Sequence, residues 1–311
     1  MKLSLHLSVL ILFLTAASCT GDRYVMFSGY AQGGEYRIKA DIGGCRADRD
    51  EIRDGIEDIL TSIDTTFSGY NRNSMLSRLN AGEPVVPNGM FTELLAVSDR
   101  YKELTGGAFD VSAGPLFDVW GFGFSTDSLP PAERVAAAME ECRKGCTLNF
   151  NAIAQGYTCD TIARYLASLG VRNMLVDIGE IFCCGVNPSG RNWSIGIDTP
   201  EDGNETPGKS LSGIWESDGE PHGIVTSGNY RKFYIRDGRK YAHTIDPRTG
   251  YPVEHNLLSA TVVAPTATDA DALATYFMVI GFEQSKEFIL SDPDIEACLI
   301  TTDSIWRSPG F

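Results

Sequence analysis

The chain has 311 residues, of which 43% are hydrophobic and 22% charged, which is the composition of a globular protein and not of a disordered or multi-pass membrane chain. Acids outnumber bases by 41 to 26, and the net charge is −15. This acidic balance argues against nucleic acid and anionic membranes as binding partners, because both require basic surface. It does not exclude an anionic small ligand, since one cation or one helix N-terminus can hold a phosphate.

The first residues have the pattern of a targeting segment. Lys2 precedes the apolar run Leu3 to Leu14, which has the length of a signal peptide and is short for a bilayer span. Ala16-Ala17-Ser18-Cys19 then resembles the lipobox of bacterial lipoproteins, where cleavage precedes a lipidated Cys. We therefore expect residues 1–18 to be a lipoprotein signal peptide. Cys19 would anchor the protein in the cell envelope, facing the periplasm, without a transmembrane helix; the alternative is an ordinary signal peptide with an incidental Cys.

The rest of the chain reads as an irregular mixture of strands and helices. The first half of the chain is predicted to contain a strand pair within Met26 to Ile42, a helix from Asp48, and the helices Met90 to Leu104, Pro130 to Lys144 and Ala154 to Leu169. Five predicted strands follow: Asn173 to Ile178, Trp193 to Ile197, Ile224 to Ser227, Lys232 to Ile235 and Leu258 to Ala264. The last predicted elements are a helix, Thr268 to Ile280, and a strand, Glu296 to Thr301. Ser68 to Asn80 reads as a loop, and Thr199 to Gly223 as a surface excursion. Consecutive strands favour an α+β fold with mainly antiparallel sheet. Since no linker interrupts residues 19–311, we predict one domain.

One helix carries a candidate metal site. Asp271 and Thr275 are four residues apart, so they share a face of the predicted helix. A carboxylate with a hydroxyl is a set of hard oxygen ligands, which suits Mg²⁺ and suits zinc poorly. The alternative is structural, with Thr268 or Asp269 as the N-cap and Asp271 placed in the first turns to complement the helix dipole.

His243 and several aromatic residues are further candidates. His243 precedes a Pro- and Gly-containing turn, Ile245-Asp246-Pro247-Arg248-Thr249-Gly250, and a lone His is more often structural than catalytic. Tyr70, Phe109, Trp120 and Tyr157 could stack on a planar ring, although aromatic residues usually fill a core. None of these features decides the function alone.

Taken together and in this order, the motifs resemble those of the ApbE family, the FAD:protein FMN transferases. The resemblance runs from about Tyr30 to Ile300. It rests on these segments: Gly107-Ala108-Phe109-Asp110, Gly114-Pro115-Leu116, Trp120-Gly121-Phe122-Gly123, Thr226-Ser227-Gly228-Asn229-Tyr230, His243 to Pro252, and Ala270-Asp271-Ala272-Leu273-Ala274-Thr275.

This resemblance implies a T-fold-related α+β protein with FAD in a cleft and Mg²⁺ on its pyrophosphate. The implied FAD contacts are Tyr70, Ala108, Phe109, Asp110, Asn149, Gln155 and Ile245. The implied Mg²⁺ ligands are the Ala152 carbonyl and the side chains of Asp271 and Thr275. His243 and Asp271 would be catalytic, with His243 either a general base or a hydrogen-bond donor to phosphate.

The implied reaction transfers FMN from FAD to a Thr or Ser hydroxyl of a target protein and releases AMP. The targets typical of the family are extracytoplasmic electron-transfer subunits, such as those of Na⁺-pumping NADH:quinone reductase and Rnf complexes. Two alternatives stay open at this point: an FAD pyrophosphatase that uses water, and an FAD-binding lipoprotein without catalysis.

Three segments depart from the family pattern. Gln32-Gly33-Gly34 stands where Met-Gly-Thr is usual, and Gly179-Glu180 stands where two glycines are common. Asn149 and Gln155 replace residues that are often Asp and then Lys or Glu. We expect these changes to affect FAD affinity and turnover more than the fold.

Overall fold

A computed structural model describes residues 23–122, 129–201, 208–230, 233–236 and 239–311. The predicted signal peptide and Cys19 lie outside these described residues, as does Gly123. Among the described helices, none combines the length and the apolar character that a membrane span requires.

Eight α-helices are present in the described part of the chain. They are α1 (Arg49–Phe67), α2 (Met75–Asn80), α3 (Gly89–Leu104), α4 (Gly114–Val119), α5 (Ala132–Lys144), α6 (Ala154–Ser168), α7 (Ala267–Ile280) and α8 (Phe282–Ser291). A 3₁₀ turn, Val111–Ala113, precedes α4.

The strands form one large antiparallel sheet and three small hairpins. They are β1 (Tyr24–Ala31), β2 (Gly34–Asp41), β3 (Met174–Asp177), β4 (Ile181–Cys184), β5 (Ser194–Asp198), β6 (Leu211–Glu216), β7 (His222–Gly228), β8 (Phe233–Arg236), β9 (Arg239–Ala242), β10 (Ile245–Asp246), β11 (Tyr251–Pro252), β12 (Leu257–Ala264), β13 (Glu296–Thr301) and β14 (Ile305–Arg307). The large sheet has eight strands in the order β1-β2-β3-β4-β7-β12-β13-β14. The predicted α+β class with mainly antiparallel sheet is confirmed.

Helices cover one face of the large sheet. Helix α1 begins with a capping box, in which the Asp48 side chain accepts from the first-turn amides and Glu51 reaches back to the Asp48 N–H. Its apolar residues recur every three or four positions and are buried against α6 and the β1–β2 hairpin. Helix α7 packs centrally on β7 and β12, and its many alanines allow a close approach.

The opposite face is covered by the β5–β6 hairpin. Trp193, Ile195 and Trp215 pack there against Cys183, Ile224 and Val263 of the sheet. The indole N–H of Trp215 donates to Glu296 at 3.0 Å. The prediction of a surface excursion over Thr199 to Gly223 is therefore wrong for its second half, because β6 brings a buried Trp into the core.

Several short elements were not predicted. Helix α2 forms inside the stretch predicted as a loop, where the Ser74 hydroxyl caps its first turn. Helix α8 follows α7 directly after Gly281, and strands β4, β9, β10, β11 and β14 are also additional. The N-cap of α7 is Thr266, not Thr268 or Asp269. These elements are short, and in short segments periodicity is a weak signal.

His255 holds the end of α7 against the start of β12. Its Nε2 lies 2.9 Å from the Met278 carbonyl oxygen, and the Leu257 N–H donates to Nδ1 at 3.3 Å. Both contacts are made together only by the neutral ring that carries its proton on Nε2. Burial lowers the pKa of His255 below its ordinary value of 6.5.

We expect His255 to make the fold sensitive to acid. Because the pKa is depressed in the folded state, its stabilising contribution is present above about pH 6.5 and is lost as the pH falls through the folded value. Urea unfolding of the wild type and of His255→Gln at pH 7.5 and pH 5 measures this. The difference in unfolding free energy between the two proteins should shrink at the lower pH. A difference that is the same at both pH values would contradict the assignment.

Candidate active site

Helices α6 and α7 run antiparallel and touch at glycine. A Cβ atom on Gly156 of α6 would lie 2.2 Å from the Ala267 carbonyl oxygen of α7. On the sheet side, a Cβ on Gly223 of β7 would lie 2.2 Å from the Ala267 Cα. The first turn of α7 therefore fits between a helix and a strand only because both contribute a glycine at the contact.

Each of these two helices caps the N-terminus of the other. Asp160 of α6 accepts hydrogen bonds from the Ala267 N–H at 2.9 Å, from the Thr268 N–H at 2.8 Å and from the Thr268 hydroxyl. In return, Asp271 Oδ2 of α7 accepts from the Gly156 N–H at 3.0 Å. The side chain of Ile153, the N-cap residue of α6, cannot accept a hydrogen bond. Asp271 therefore supplies the acceptor that the start of α6 lacks in its own sequence.

Asp271 is a buried acid, and among the described residues only one of its two carboxylate oxygens accepts a hydrogen bond. The residue is 4% exposed, and its Oδ1 makes no hydrogen bond with the described part of the chain. Burial raises the pKa of Asp271, the Gly156 N–H opposes that shift, and the charge of Asp160 adds to it. A cation at Oδ1 would offset the cost of burying this charge.

Thr275 lies one turn further along the same face of α7. Thr158 and Thr161 of α6 each donate their hydroxyl to the carbonyl four residues back, the usual arrangement in a helix. The half-buried Thr275 hydroxyl makes no such bond within the described residues. Two hard oxygen donors are thus available side by side, and they fit the Mg²⁺ that the family resemblance implies.

The segment that leads into α6 is fixed by side-chain amides. Asn80 donates to the Leu148 carbonyl at 2.8 Å and accepts from the Leu148 N–H at 2.9 Å. The Asn149 N–H donates to the Val111 carbonyl at 2.7 Å, and the Asn149 side chain accepts from the Asn151 N–H. Asn149 therefore shapes the loop that contains Ala152, two residues before α6 begins.

Gln155 and the tip of the first hairpin lie on the other side of the α6 N-terminus. Gln155 Nε2 donates to the Ile178 carbonyl at 3.1 Å, at the turn between β3 and β4. The two-residue turn Gln32-Gly33 has φ values of 51° and 84°, as a type I′ hairpin requires. Gln32 donates to the Thr158 hydroxyl at 2.6 Å, so Gln32 and Gln155, two of the departures from the family pattern, lie beside the same helix end.

Ala108 and Phe109 are buried, and the Phe109 ring packs edge-on against Tyr101 in the core. Asp110 accepts from the Ser112 N–H and hydroxyl and forms an ion pair with Lys102 at 2.9 Å. Ala108 and Phe109 therefore belong to the core, whereas Asp110 makes polar contacts within its own loop and with Lys102.

The segment after His243 is hydrogen-bonded to Asn229, which follows β7, and to Trp120, which follows α4. The Thr244 hydroxyl donates to Asn229 at 2.6 Å, and the Trp120 indole donates to the Gly250 carbonyl at 2.8 Å. The His243 ring packs edge-on against Phe122, with centroids 6.3 Å apart.

Ile245 of the same segment is buried with Trp120 between α4 and α5. Arg248 is held by Asp246, and its Cγ would lie 4.0 Å from a Cβ on Gly107. The turn from Asp246 to Gly250 and the loop at Gly107 are therefore direct neighbours.

Tyr70 is the outlying member of the predicted set. It lies between α1 and α2 with 76% of its surface exposed. Hydrogen bonds join Asp271 to the start of α6 and Asn149 to Val111, next to Asp110, whereas Ile245 is buried in a different cluster, with Trp120.

The sequence analysis missed Asp160 and Asn80, which position the site. Asp160 could have been found, because it is three residues from Tyr157 and from Ala163 and therefore shares a helix face with these buried residues of α6. A charged residue on a buried helix face requires a partner. Asn80 gives no such signal, since its partner is a backbone 68 residues away.

Fold and site together are those of an α+β protein in which two helices cap one another with carboxylates, and in which a buried acid has one oxygen without a hydrogen bond among the described residues. The profile of the ApbE family matches residues 33–299. The chain belongs to the ApbE family.

Its relatives include proteins named FAD:protein FMN transferase. One from Haemophilus influenzae is 30% identical over 94% of this chain and 91% of its own length. One from Vibrio cholerae is 34% identical over 84% of this chain and 82% of its own length. Among solved structures, the flavinyl transferase ApbE of Pseudomonas stutzeri in its apo form has a TM-score of 0.81 at 31% identity, and it covers 93% of this chain and 95% of its own. The Vibrio cholerae flavin transferase ApbE has a TM-score of 0.78 at 30% identity, with 93% and 98% covered.

Replacing Gly156 tests the helix contact. Gly→Ala within a helix normally stabilises by about 1 kcal/mol, but here the new methyl group meets a backbone carbonyl. We expect Gly156→Ala to lower the free energy of unfolding by about 1–3 kcal/mol, measured by urea denaturation.

Gly89→Ala is the matched control. Gly89 is also helical, and a Cβ there has nothing within 4 Å. That variant should be unchanged or slightly more stable. Equal stability of the two variants would mean that α6 and α7 can move apart freely.

Proposed function

We propose that this protein is an Mg²⁺-dependent FAD:protein FMN transferase. The observation that carries the proposal is a pair of oxygens on α7, Asp271 Oδ1 and the Thr275 hydroxyl, that make no hydrogen bond to any described residue and lie near the capped end of α6. The named activity of the relatives supports the choice of FAD as donor and of a protein as acceptor.

The reaction joins an acceptor hydroxyl to the FMN phosphate of FAD. The Thr or Ser oxygen forms a bond to the phosphorus on the riboflavin side, the pyrophosphate P–O bond breaks, AMP leaves with that bond's electron pair, and the hydroxyl proton is released. Mg²⁺ held by Asp271, Thr275 and the Ala152 carbonyl would neutralise charge on the phosphates. The chain's own task is mainly to position the two substrates.

Several residues supply that positioning in our proposal. His243 either accepts the hydroxyl proton or donates a hydrogen bond to phosphate. The walls around FAD are Asp110, with Ala108 and Phe109 behind it, Ile245, and on the α6 side Asn149 and Gln155. In this proposal the Tyr70 ring, which is 76% exposed, stacks on a ring of the nucleotide.

We further propose that the protein acts in the bacterial cell envelope. The lipobox-like Ala16-Ala17-Ser18-Cys19 supports a lipid anchor that faces the periplasm. Acceptors would then be extracytoplasmic electron-transfer subunits.

A variant series tests the reaction. Purified protein is incubated with FAD, Mg²⁺ and the apo form of an electron-transfer subunit of a Na⁺-pumping NADH:quinone reductase. Flavin fluorescence on the denatured acceptor and AMP in solution are measured. Asp271→Asn should lower the transfer rate by at least about 100-fold because the metal loses its anionic ligand. His243→Ala should lower it by roughly 100-fold if His243 is the base.

Asp269→Asn is the control for Asp271, since Asp269 lies on the same helix but pairs with Arg100 and Tyr101. It should retain the wild-type transfer rate. Unchanged transfer in Asp271→Asn would refute the metal assignment. AMP released without protein-bound flavin would indicate an FAD pyrophosphatase, and FAD binding without AMP would indicate a binding protein.

The anchor has a separate test. In a bacterial host supplied with radiolabelled palmitate, the wild type should be labelled and recovered with membranes. Cys19→Ser should be unlabelled and recovered in the soluble periplasmic fraction. An unlabelled wild type would favour the ordinary signal peptide.

A further inference from the structure

The outer edge of β1 is an unpaired strand edge in the described part of the chain. Ala31 and Gly34 flank the two-residue turn, so they exchange hydrogen bonds, and every second pair along the hairpin does the same. The alternate residues Met26, Ser28 and Tyr30 therefore direct their backbone N–H and C=O groups away from β2, towards the open edge. No described residue hydrogen-bonds to these groups.

This edge lacks the features that normally protect a sheet edge. Natural edges are short, bulged, or carry charged residues or Pro. Strand β1 reads Tyr-Val-Met-Phe-Ser-Gly-Tyr-Ala, with no charge and no Pro, and its eight pairs with β2 run without a bulge. Met26 and Tyr30 are 48% and 74% exposed on the face away from the helices. The other end of the sheet is different, because β14 has three residues and ends in Arg307.

The edge leads to the candidate active site. Strand β1 ends at the turn whose Gln32 donates to Thr158 of α6, one turn after Ala154. A strand added to β1 advances about 3.3 Å per residue, so a few added residues reach from Met26 to this turn. A segment bound along β1 is thus directed towards the α6 end that Asp271 caps.

We propose that the edge of β1 is the docking surface for the acceptor protein, which binds as an extended segment that adds a strand to the sheet. This inference rests on the proposed function, since it concerns the second substrate of that reaction. Main-chain hydrogen bonds to Met26, Ser28 and Tyr30 supply affinity, and alternate side chains of the segment pack on Met26 and Tyr30. Lys39, directly opposite Met26 on β2, favours an acidic residue in the segment.

A second copy of this chain fits the edge less well. Each copy carries a net charge of −15, so two copies repel one another. One eight-residue strand also offers little area against the roughly 1,200–2,000 Å² that a stable interface buries.

The experiment measures acceptor binding and transfer separately. The probe is the apo electron-transfer subunit used above, titrated against the full protein without FAD and then assayed for transfer. Ser28→Pro removes one outward N–H and leaves the bonds between β1 and β2. Met26→Lys adds a charge to the edge. Each should weaken acceptor binding and raise the acceptor KM about tenfold, while kcat and FAD affinity stay at wild-type values.

Ile305→Lys is the matched control, since Ile305 is an apolar edge-strand residue with 46% exposure on β14. It should leave acceptor binding unchanged. If Ser28→Pro fails to fold, the comparison of Met26→Lys with Ile305→Lys by itself tests whether the edge of β1 binds the acceptor.

Wild-type acceptor binding and KM in Met26→Lys would overturn the docking surface. So would a wild-type dimer in analytical ultracentrifugation that Met26→Lys converts to monomer, or an acceptor that does not bind the wild type. Acceptor binding that is edge-dependent but gives no flavin transfer would instead overturn the proposed reaction and leave the docking surface in place.

Discussion

The reciprocal capping of α6 and α7 is the interaction on which the site depends. Two antiparallel helices each supply a carboxylate to the amides at the start of the other, through Asp160 and Asp271. This exchange requires the helix axes to lie close together, and Gly156 and Gly223 permit that approach. The arrangement stabilises two helix ends and at the same time fixes a buried acid, Asp271, at the start of α6.

The same arrangement concentrates acidic side chains. Asp160, Asp177 and Asp271 are all partly or fully buried near the helix contact, and burial raises the pKa of each. An anionic dinucleotide would be repelled by such a site unless a cation lay between them. The acidic composition of the whole chain is therefore compatible with a phosphate-bearing substrate, provided that a divalent metal ion mediates the contact.

The first hairpin connects the sheet with the start of α6. Its turn reaches α6 through Gln32, and its outer strand is the uncharged edge of the sheet. In the proposed reaction, an acceptor segment on this edge and FAD would both reach the start of α6.

Local sequence patterns determined much of this protein. Helical periodicity and caps located α1, α3, α6 and α7 to within a few residues, and consecutive strands indicated antiparallel sheet. The Asp271–Thr275 spacing placed a carboxylate and a hydroxyl on one helix face. Periodicity failed for α2, α8 and β6, because these elements are short or lie in polar, Gly-rich sequence.

Only the tertiary structure decided which residues meet. Asp271 and Gly156 are 115 positions apart, and Asp160 and Ala267 are 107 apart. No local pattern encodes such a pairing, because it follows from how closely two helices pack on a shared sheet. The sequence therefore determined the helices and their donor groups, whereas packing at two glycines determined that the donors form one site.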